Sequence, residues 1–285
     1  MAPSVIRPVL FLTVFYIQVF YIEAEPLHIG AFNIQLFGKA KINKPDVVDI
    51  LVRVLDRYDL VLIQEIRDKS GTAIMKLLES LNSVSKDEYQ MVISGRVGRT
   101  SSKEQYAYFY KSDRLEVTDK YEYDDGEEGL EETTDIFERE PFIVRFKSPS
   151  TLVKDFAIVG IHTKPTAAFE EIDSLADVYR DIIQKWEIND VIIAGDLNAG
   201  CSYIKNWKDN RLRDDRFTWL IDDNADTNVA PSACAYDRFV IAGQTLKKSV
   251  KPCSANTFYF SAIYGLELEL TKAVSDHFPI EFTLS

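Results

Sequence analysis

At 285 residues, with 46% hydrophobic and 27% charged side chains, the chain has an ordinary soluble globular balance. It is long enough for one large core or two small ones, and it shows no linker or internal repeat. A formal net charge of −12 excludes nucleic-acid binding through a general positive field, so any such role must use local arginines and bound cations.

The N-terminus carries Arg7, an apolar run from Val9 to Ile22 broken only by Thr13 and Gln18, and then Ala24. This resembles a secretory signal peptide, and the run is short for a membrane span. Residues 1–24 are therefore set apart and 25–285 are taken as one domain. The expectation is a secreted protein without stable membrane association, with a retained signal anchor or lysosomal retention as alternatives. The segment holds one Arg and one Glu, so removing it leaves the net charge unchanged.

"LHIGAFNI" (27–34) reads as a strand. Asn43 and Pro45 mark a helix start, followed by Val47, Ile50, Leu51, Val54 and Leu55 at helical spacing. "LVLIQEI" (60–66) is a run of buried-strand type, and a second helix carries Ile74, Leu77, Leu78 and Leu81. "QYAYFY" (105–110) and "FAIVGIHT" (156–163) are strands. A long helix after Pro165 places Leu175, Val178, Ile182 and Trp186 on one face. "DVIIAGDLN" (190–198), "YDRFVIA" (236–242) and "DHFPIEFTL" (276–284) complete an alternating series, which argues for an α/β class.

Between these elements, 121–140 is densely acidic with a single Arg. A solvated loop explains it, and so does a calcium site, because calcium takes several oxygen ligands from a flexible loop. Three cysteines, Cys201, Cys234 and Cys253, permit at most one internal bridge, and their spacing leaves all three pairings open. No N-glycosylation sequon occurs.

Polar residues recur where apolar runs start or stop: Asn33, Glu65, His162, Asp196, Asn198, Asp237, Asp276 and His277. Singly, each is a common turn or loop residue. Together they suggest one rim of strand ends, where sheet proteins build sites. Glu65 follows four apolar residues, and a carboxylate there is costly unless paired or metal-bound. Magnesium, which uses few carboxylates and keeps positions open for phosphate oxygens, fits. Asp196 and Asn198 would point the same way if their strand persists. His28 lies among apolar residues and reads as structural. His162 and His277 have an ordinary pKa of about 6.5, so one can take a proton while the other gives one. Each needs an orienting carboxylate, for which Asp237, Glu104 and Asp276 are candidates. Two acid-oriented histidines around a metal-bound anion suit phosphate-ester hydrolysis.

"FNIQLFG", "LVLIQEIRD", "GRTSSKEQYAYFY", "FEREPF", "GIHT", "GDLNAGCSY", "CAYDR" and "SDHFPIE" resemble, in order and over nearly the whole mature chain, the deoxyribonuclease I family of secreted endonucleases. The resemblance implies a four-layer α/β sandwich, two packed mixed β-sheets flanked by helices. It implies a divalent-metal-dependent endonuclease acting on DNA, mainly duplex, and leaving 5′-phosphate ends, as a monomer. His162 and His277 would transfer protons, with Glu104 orienting the first and Asp237 the second. Glu65, Asp196 and Asp276 would hold magnesium, with Asn33 and Asn198 on the scissile phosphate. Arg67 matches the family's minor-groove arginine and Arg139 its phosphate contact. Cys201 and Cys234 match its disulfide, leaving Cys253 unpaired. Asp125, Asp135, Phe137 (through its backbone) and Glu140 match a first calcium site, with two extra residues between the aspartates. Asp226 matches a second, where Asn228 and Ser232 replace threonines. Gln35 stands where some members have an arginine, and Ser102 where many have a tyrosine. The segment 89–95 aligns with the family's actin-contact segment but differs from it, leaving actin binding open. The alternatives are another phosphodiesterase of the same superfamily, such as a sphingomyelinase, and a non-catalytic secreted binding module.

Overall fold

Every residue of Leu60–Ile66 is buried, because this strand is covered on both faces. Leu60 and Leu62 enter one core while Val61 and Ile63 enter another, as the two-residue period of a strand requires. In Val191–Asp196 the same alternation sends Ile192 and Ala194 to the first core and Val191 and Ile193 to a third. Strands buried on both faces have no polar side, hence their continuous apolar sequences. The computed structural model describes residues 26–126 and 135–285. The expected signal segment 1–24 and part of the acidic loop lie outside the described residues.

One sheet consists of β1 (Leu27–Phe37), β2 (Leu60–Ile66), β3 (Tyr89–Ile93), β4 (Gln105–Lys111), β11 (Asn256–Thr257) and β12 (Ile280–Leu284), in the order β11-β12-β1-β2-β4-β3. The other consists of β5 (Glu116–Glu122), β6 (Phe142–Lys147), β7 (Asp155–Gly160), β8 (Val191–Asp196), β9 (Thr218–Trp219) and β10 (Asp237–Ala242), in the order β5-β6-β7-β8-β10-β9. Each sheet is mixed. β1 and β2 run parallel, as do β7 and β8, and the other pairs are antiparallel.

Short α1 (Lys39–Ile42) precedes α2 (Pro45–Leu55), which crosses from β1 to β2 and shares the outer layer of the first sheet with α3 (Thr72–Val84). α4 (Ala168–Trp186) crosses from β7 to β8 and covers the outer face of the second sheet. α5 (Gln244–Ser249), α6 (Phe260–Tyr264) and α7 (Leu268–Val274) complete the chain. The result is a four-layer α/β sandwich, as expected. Its central layer includes Leu62, Tyr108, Phe146, Ile192 and Phe282. The sheets approach so closely that a Cβ on Gly160 would lie 2.7 Å from the Tyr108 hydroxyl oxygen. That buried hydroxyl donates to the carbonyls of Phe142 and Ile158. No helix among the described residues is long and apolar enough to cross a membrane.

Several boundaries differ from the expected ones. Pro45 opens α2, but the residue before it is Lys44, and Asn43 instead ends α1. β7 stops at Gly160, β8 at Asp196, and β12 begins only at Ile280. His162, Asn198, Asp276 and His277 therefore lie beyond strand ends. Asn198 has φ 48°, so the strand does not persist there and the expected same-face alignment with Asp196 fails. His28 is exposed, with its ring beside the Thr283 hydroxyl. β5 carried no apolar signal because it is an edge strand with no fully buried residue.

Cys201 and Cys234 are bridged, with Cα atoms 5.7 Å apart and a sequence separation of 33, while exposed Cys253 is free. The bridge closes the base of the excursion between β8 and β10. In the chain-entropy picture a loop of this length contributes on the order of 3–4 kcal/mol. Reduction should lower the thermal unfolding midpoint markedly, whereas Cys253→Ser should leave it nearly unchanged, as thermal scans with and without reductant will register.

Candidate active site

Adjacent register shifts re-aim side chains at the ends of β1 and β2. One falls between Asn33 and Phe37 and the other between Ile63 and Ile66. Gln35 (φ 41°), Leu36 (φ 50°) and Glu65 (φ 61°) adopt left-handed backbone within these strands. Such conformations cost roughly 1–3 kcal/mol each in residues with a Cβ, and they persist where surrounding structure holds them. Here the Leu36 N–H donates to Glu65 Oε2 at 2.8 Å, and the Gln35 N–H to Asn33 Oδ1 at 3.0 Å. That second bond turns the Asn33 amide so that Nδ2 reaches Glu65 Oε1 (3.1 Å) and Asp196 Oδ2 (3.3 Å).

Asp196 ends β8 on the second sheet and is 2% exposed. Gln64 joins the sheets at this point, donating to the Ile161 carbonyl and accepting from the Asp196 N–H. Its amide occupies the space beside Gly195, where a Cβ would lie 2.7 Å from Nε2 and 2.3 Å from the Ile161 oxygen. Gly195 also has φ 132°, which only glycine adopts readily. Asn198 donates its backbone N–H to Asp196 Oδ1 and its amide to the Thr163 carbonyl.

The two buried histidines are built alike. His162 Nδ1 lies 2.7 Å from Glu104 Oε1, and His277 Nδ1 lies 2.8 Å from Asp237 Oδ2. Their Nε2 atoms approach the same oxygen, Asp196 Oδ2, at 3.4 and 3.5 Å. The His162 N–H donates to the Tyr106 hydroxyl, and the His277 N–H to the Ser275 hydroxyl. Asp276 is half-exposed, its Oδ1 3.9 Å from His277 Nε2.

Burial alone would lower the pKa of His277, but the Asp237 and Asp196 carboxylates outweigh it and push the group up to about 10. His162 is raised as well: burial lowers it and Glu104 raises it, while Arg139 opposes the rise. Burial would raise Glu104, yet His162, Arg139 and Arg67 hold it down to about 2. Arg139 Nε lies 2.6 Å from Glu104 Oε1, and Arg67 Nη2 lies 3.4 Å from both Glu104 Oε2 and Glu65 Oε2. Arg67 Nη1 also donates to the Ser102 hydroxyl. Both arginines expected on substrate thus face inward onto carboxylates in this structure.

Among the described residues, Asp196, Asp237 and His277 form a group whose ligand atoms lie within 4.8 Å of one another. Glu65, Asp196 and Asp276 do not form such a group, because the Asn33 amide stands between the first two. In the acidic loop, Asp125 Oδ2 accepts the N–H groups of Ile136 and Phe137, and Asp135 pairs with Arg99. Asp226 accepts the Asn228 N–H, whose amide turns to the Ser232 carbonyl.

Gln64, Tyr106, Ser275 and Arg238 were not singled out from sequence. Gln64 had one signal, a polar residue inside an apolar run. Arg238 is 1% exposed and donates to the carbonyls of Ala199, Ile221 and Ala235, bracing the loops that carry Asn198 and Asp237.

The model of the Endonuclease/Exonuclease/phosphatase family matches residues 30–277. Solved structures agree in fold. The endonuclease/exonuclease/phosphatase from Bacteroides vulgatus has a TM-score of 0.63 at 16% identity, covering 92% of this chain and 99% of that one. Truncated Caenorhabditis elegans TDP2 has a TM-score of 0.59 at 14% identity, covering 92% and 98%. Among curated proteins, Deoxyribonuclease-1 of Sus scrofa is 48% identical over 261 residues, covering 90% of this chain and 91% of the relative. Deoxyribonuclease-1 of Homo sapiens is 48% identical over 264 residues, covering 92% and 93%. The chain belongs to the Endonuclease/Exonuclease/phosphatase family and, within it, to the deoxyribonuclease I family.

The depressed Glu104 pKa has a thermodynamic consequence. A carboxyl held below its ordinary 4.5 adds stability above that pH and loses it as pH falls toward about 2. Wild type should exceed Glu104→Gln by on the order of 3 kcal/mol at neutral pH. The gap should narrow once pH drops below about 4.5, as denaturant unfolding across a pH series will measure.

Proposed function

We propose that this chain is a secreted, divalent-metal-dependent endonuclease that hydrolyses phosphodiester bonds of DNA and leaves 5′-phosphate ends. One observation carries the reading: two imidazoles, each with Nδ1 on a buried carboxylate, direct their Nε2 atoms to one point at the rim of two sheets. A carboxylate on Nδ1 keeps the proton there and leaves Nε2 to exchange protons with a reactant.

One histidine takes a proton from the attacking water as its oxygen bonds phosphorus. The other gives a proton to the departing O3′ as that P–O bond breaks. The products are a 3′-hydroxyl and a 5′-phosphate. Glu104 and Asp237 hold the rings in place and stabilise each imidazolium as it forms. Glu65, Asp196 and the half-exposed Asp276 would offer magnesium hard oxygen donors, the ion taking the place that the Asn33 amide now holds between the first two. Magnesium held by these residues would supply positive charge to the phosphate oxygens. The amides of Asn33 and Asn198 flank the same point. Asp125, Asp135 and Glu140, with the Phe137 carbonyl, would offer calcium its oxygen donors in the acidic loop, and Asp226 would offer one beside Asn228; calcium held there would brace loops and take no part in proton transfer. The Cys201–Cys234 bridge supports an oxidising compartment and hence export.

Plasmid DNA assayed with magnesium and with chelator, beside sphingomyelin, tests the reading. DNA cleavage that chelator abolishes is expected, and turnover of sphingomyelin alone would transfer the chain to another phosphodiesterase class. His162→Ala and His277→Ala should each lower kcat by roughly 10²–10⁴ with little change in KM. Glu65→Gln should demand more magnesium for half-maximal activity. An unaltered magnesium titration would remove Glu65 from the ligand set.

A further inference from the structure

The β1–β12 ladder ends where Ala31 pairs with Ile280. Asn33 lies past that rung on one chain, and Asp276 and His277 lie before it on the other. No backbone ladder joins the Asn33 turn to the Asp276–His277 segment, although both supply the site. Two side chains do the joining. The Ser275 hydroxyl donates to the Asn33 carbonyl at 2.6 Å and accepts the His277 N–H at 3.0 Å. Lys41 Nζ donates to the carbonyls of Ile34 (2.9 Å), Gln35 (2.6 Å) and Val274 (2.9 Å).

An ammonium has three protons, and each here has its own carbonyl. Lys41 is only 9% exposed, a burial that lysine seldom shows unless paired, yet none of its bonds goes to a carboxylate. Burial lowers its pKa to about 8, against the upward pull of Asp276 and Glu65. Two of its three acceptors belong to the turn in which Gln35 and Leu36 are left-handed. That turn delivers the Leu36 N–H to Glu65 and the Gln35 N–H to Asn33.

We propose that Lys41, assisted by Ser275, is a positioning residue for the catalytic centre. Its ammonium replaces the missing ladder, pins the left-handed turn to the end of α7, and so sets Asn33 and Glu65 against Asp276 and His277. The inference rests on the hydrolytic reading of the site. A neutral side chain at 41 leaves three buried carbonyls without a donor and releases the turn. A misplacement of about 1 Å in a catalytic array costs about a hundredfold in rate.

The test uses Lys41→Met, with Lys111→Met as control and bis(4-nitrophenyl) phosphate as substrate. Lys111 closes β4 at the opposite end of the sheet, paired with Asp59 and Asp87. Lys41→Met should lower kcat about a hundredfold with KM nearly unchanged, and speed amide exchange at Leu36 and His277. Lys111→Met should lose stability but keep kcat. Equal kcat in the two variants at the same interval below their melting temperatures overturns the proposal. If Lys41→Met does not fold, Ser275→Ala decides: a kcat reduced about tenfold supports the clamp, and wild-type kcat refutes it. His162→Ala, run alongside, separates the two failures. Its inactivity beside a fully active Lys41→Met defeats the clamp alone, whereas wild-type kcat in His162→Ala defeats the reading of the site and the clamp with it.

Discussion

A single buried carboxylate, Asp196, organises the meeting of the two sheets. With so little solvent, its oxygens need neighbours to replace the lost hydration. Those neighbours come from both sheets. The Asn33 amide arrives from β1, His162 from the end of β7, His277 from the approach to β12, and the Asn198 N–H from the turn after β8 itself. The Asp196 carboxylate therefore keeps its hydrogen-bond partners only while the sheets keep their relative placement. Gln64 supplies that placement directly, since one amide bonds the Asp196 N–H and the Ile161 carbonyl. Packing of the central apolar layer and polar order at the rim are one requirement.

The distribution of charge follows. The chain as a whole is strongly acidic, yet Arg67, Arg139 and Lys41 all point toward the rim from its two sides. Long-range repulsion of a polyanion is screened within about 8 Å at physiological salt, so charges lining the rim matter most at contact. The two histidines do not feel them equally. Glu104 shares its charge among His162 and two arginines, whereas among the described residues the one basic side chain paired with Asp237 is His277. The imidazole at 277 accordingly has a carboxylate on Nδ1 that it shares with no arginine, whereas the one at 162 shares its carboxylate with two, and both groups are raised above the ordinary histidine value.

Much of this was legible in the sequence, and the pattern of failure is physical. Strands covered on both faces, such as β2 and β8, read clearly because burial forces continuous apolar runs. The polar residues that end those runs did gather at one rim. Strand limits were misread at His162, Asn198 and His277, since a side chain's usefulness to a site says nothing about whether its backbone still pairs. Bonds between distant positions left little trace. Gln64 bridges to Asp196 across 132 positions, and Lys41 to Val274 across 233. Lysine in a short helix near the N-terminus reads as surface. Only the fold reveals that three carbonyls surround it.

The left-handed residues show why the rim cannot be built from regular strands. Along β2, Leu60 and Leu62 face the other sheet and Val61 and Ile63 face the helices. Gln64 keeps the alternation by pointing inward to Ile161 and Asp196. Continued one step further, the same period would send Glu65 outward into the apolar layer beneath α2 and α3, where a carboxylate finds no partner. The bulge and the positive φ at Glu65 break the period at that residue and turn its carboxylate along the strand axis toward Asn33 and Leu36. Strain in the backbone is thus the local cost of placing a charge at a strand end. It can be borne because the apolar layers on its two faces leave the strand nowhere else to go.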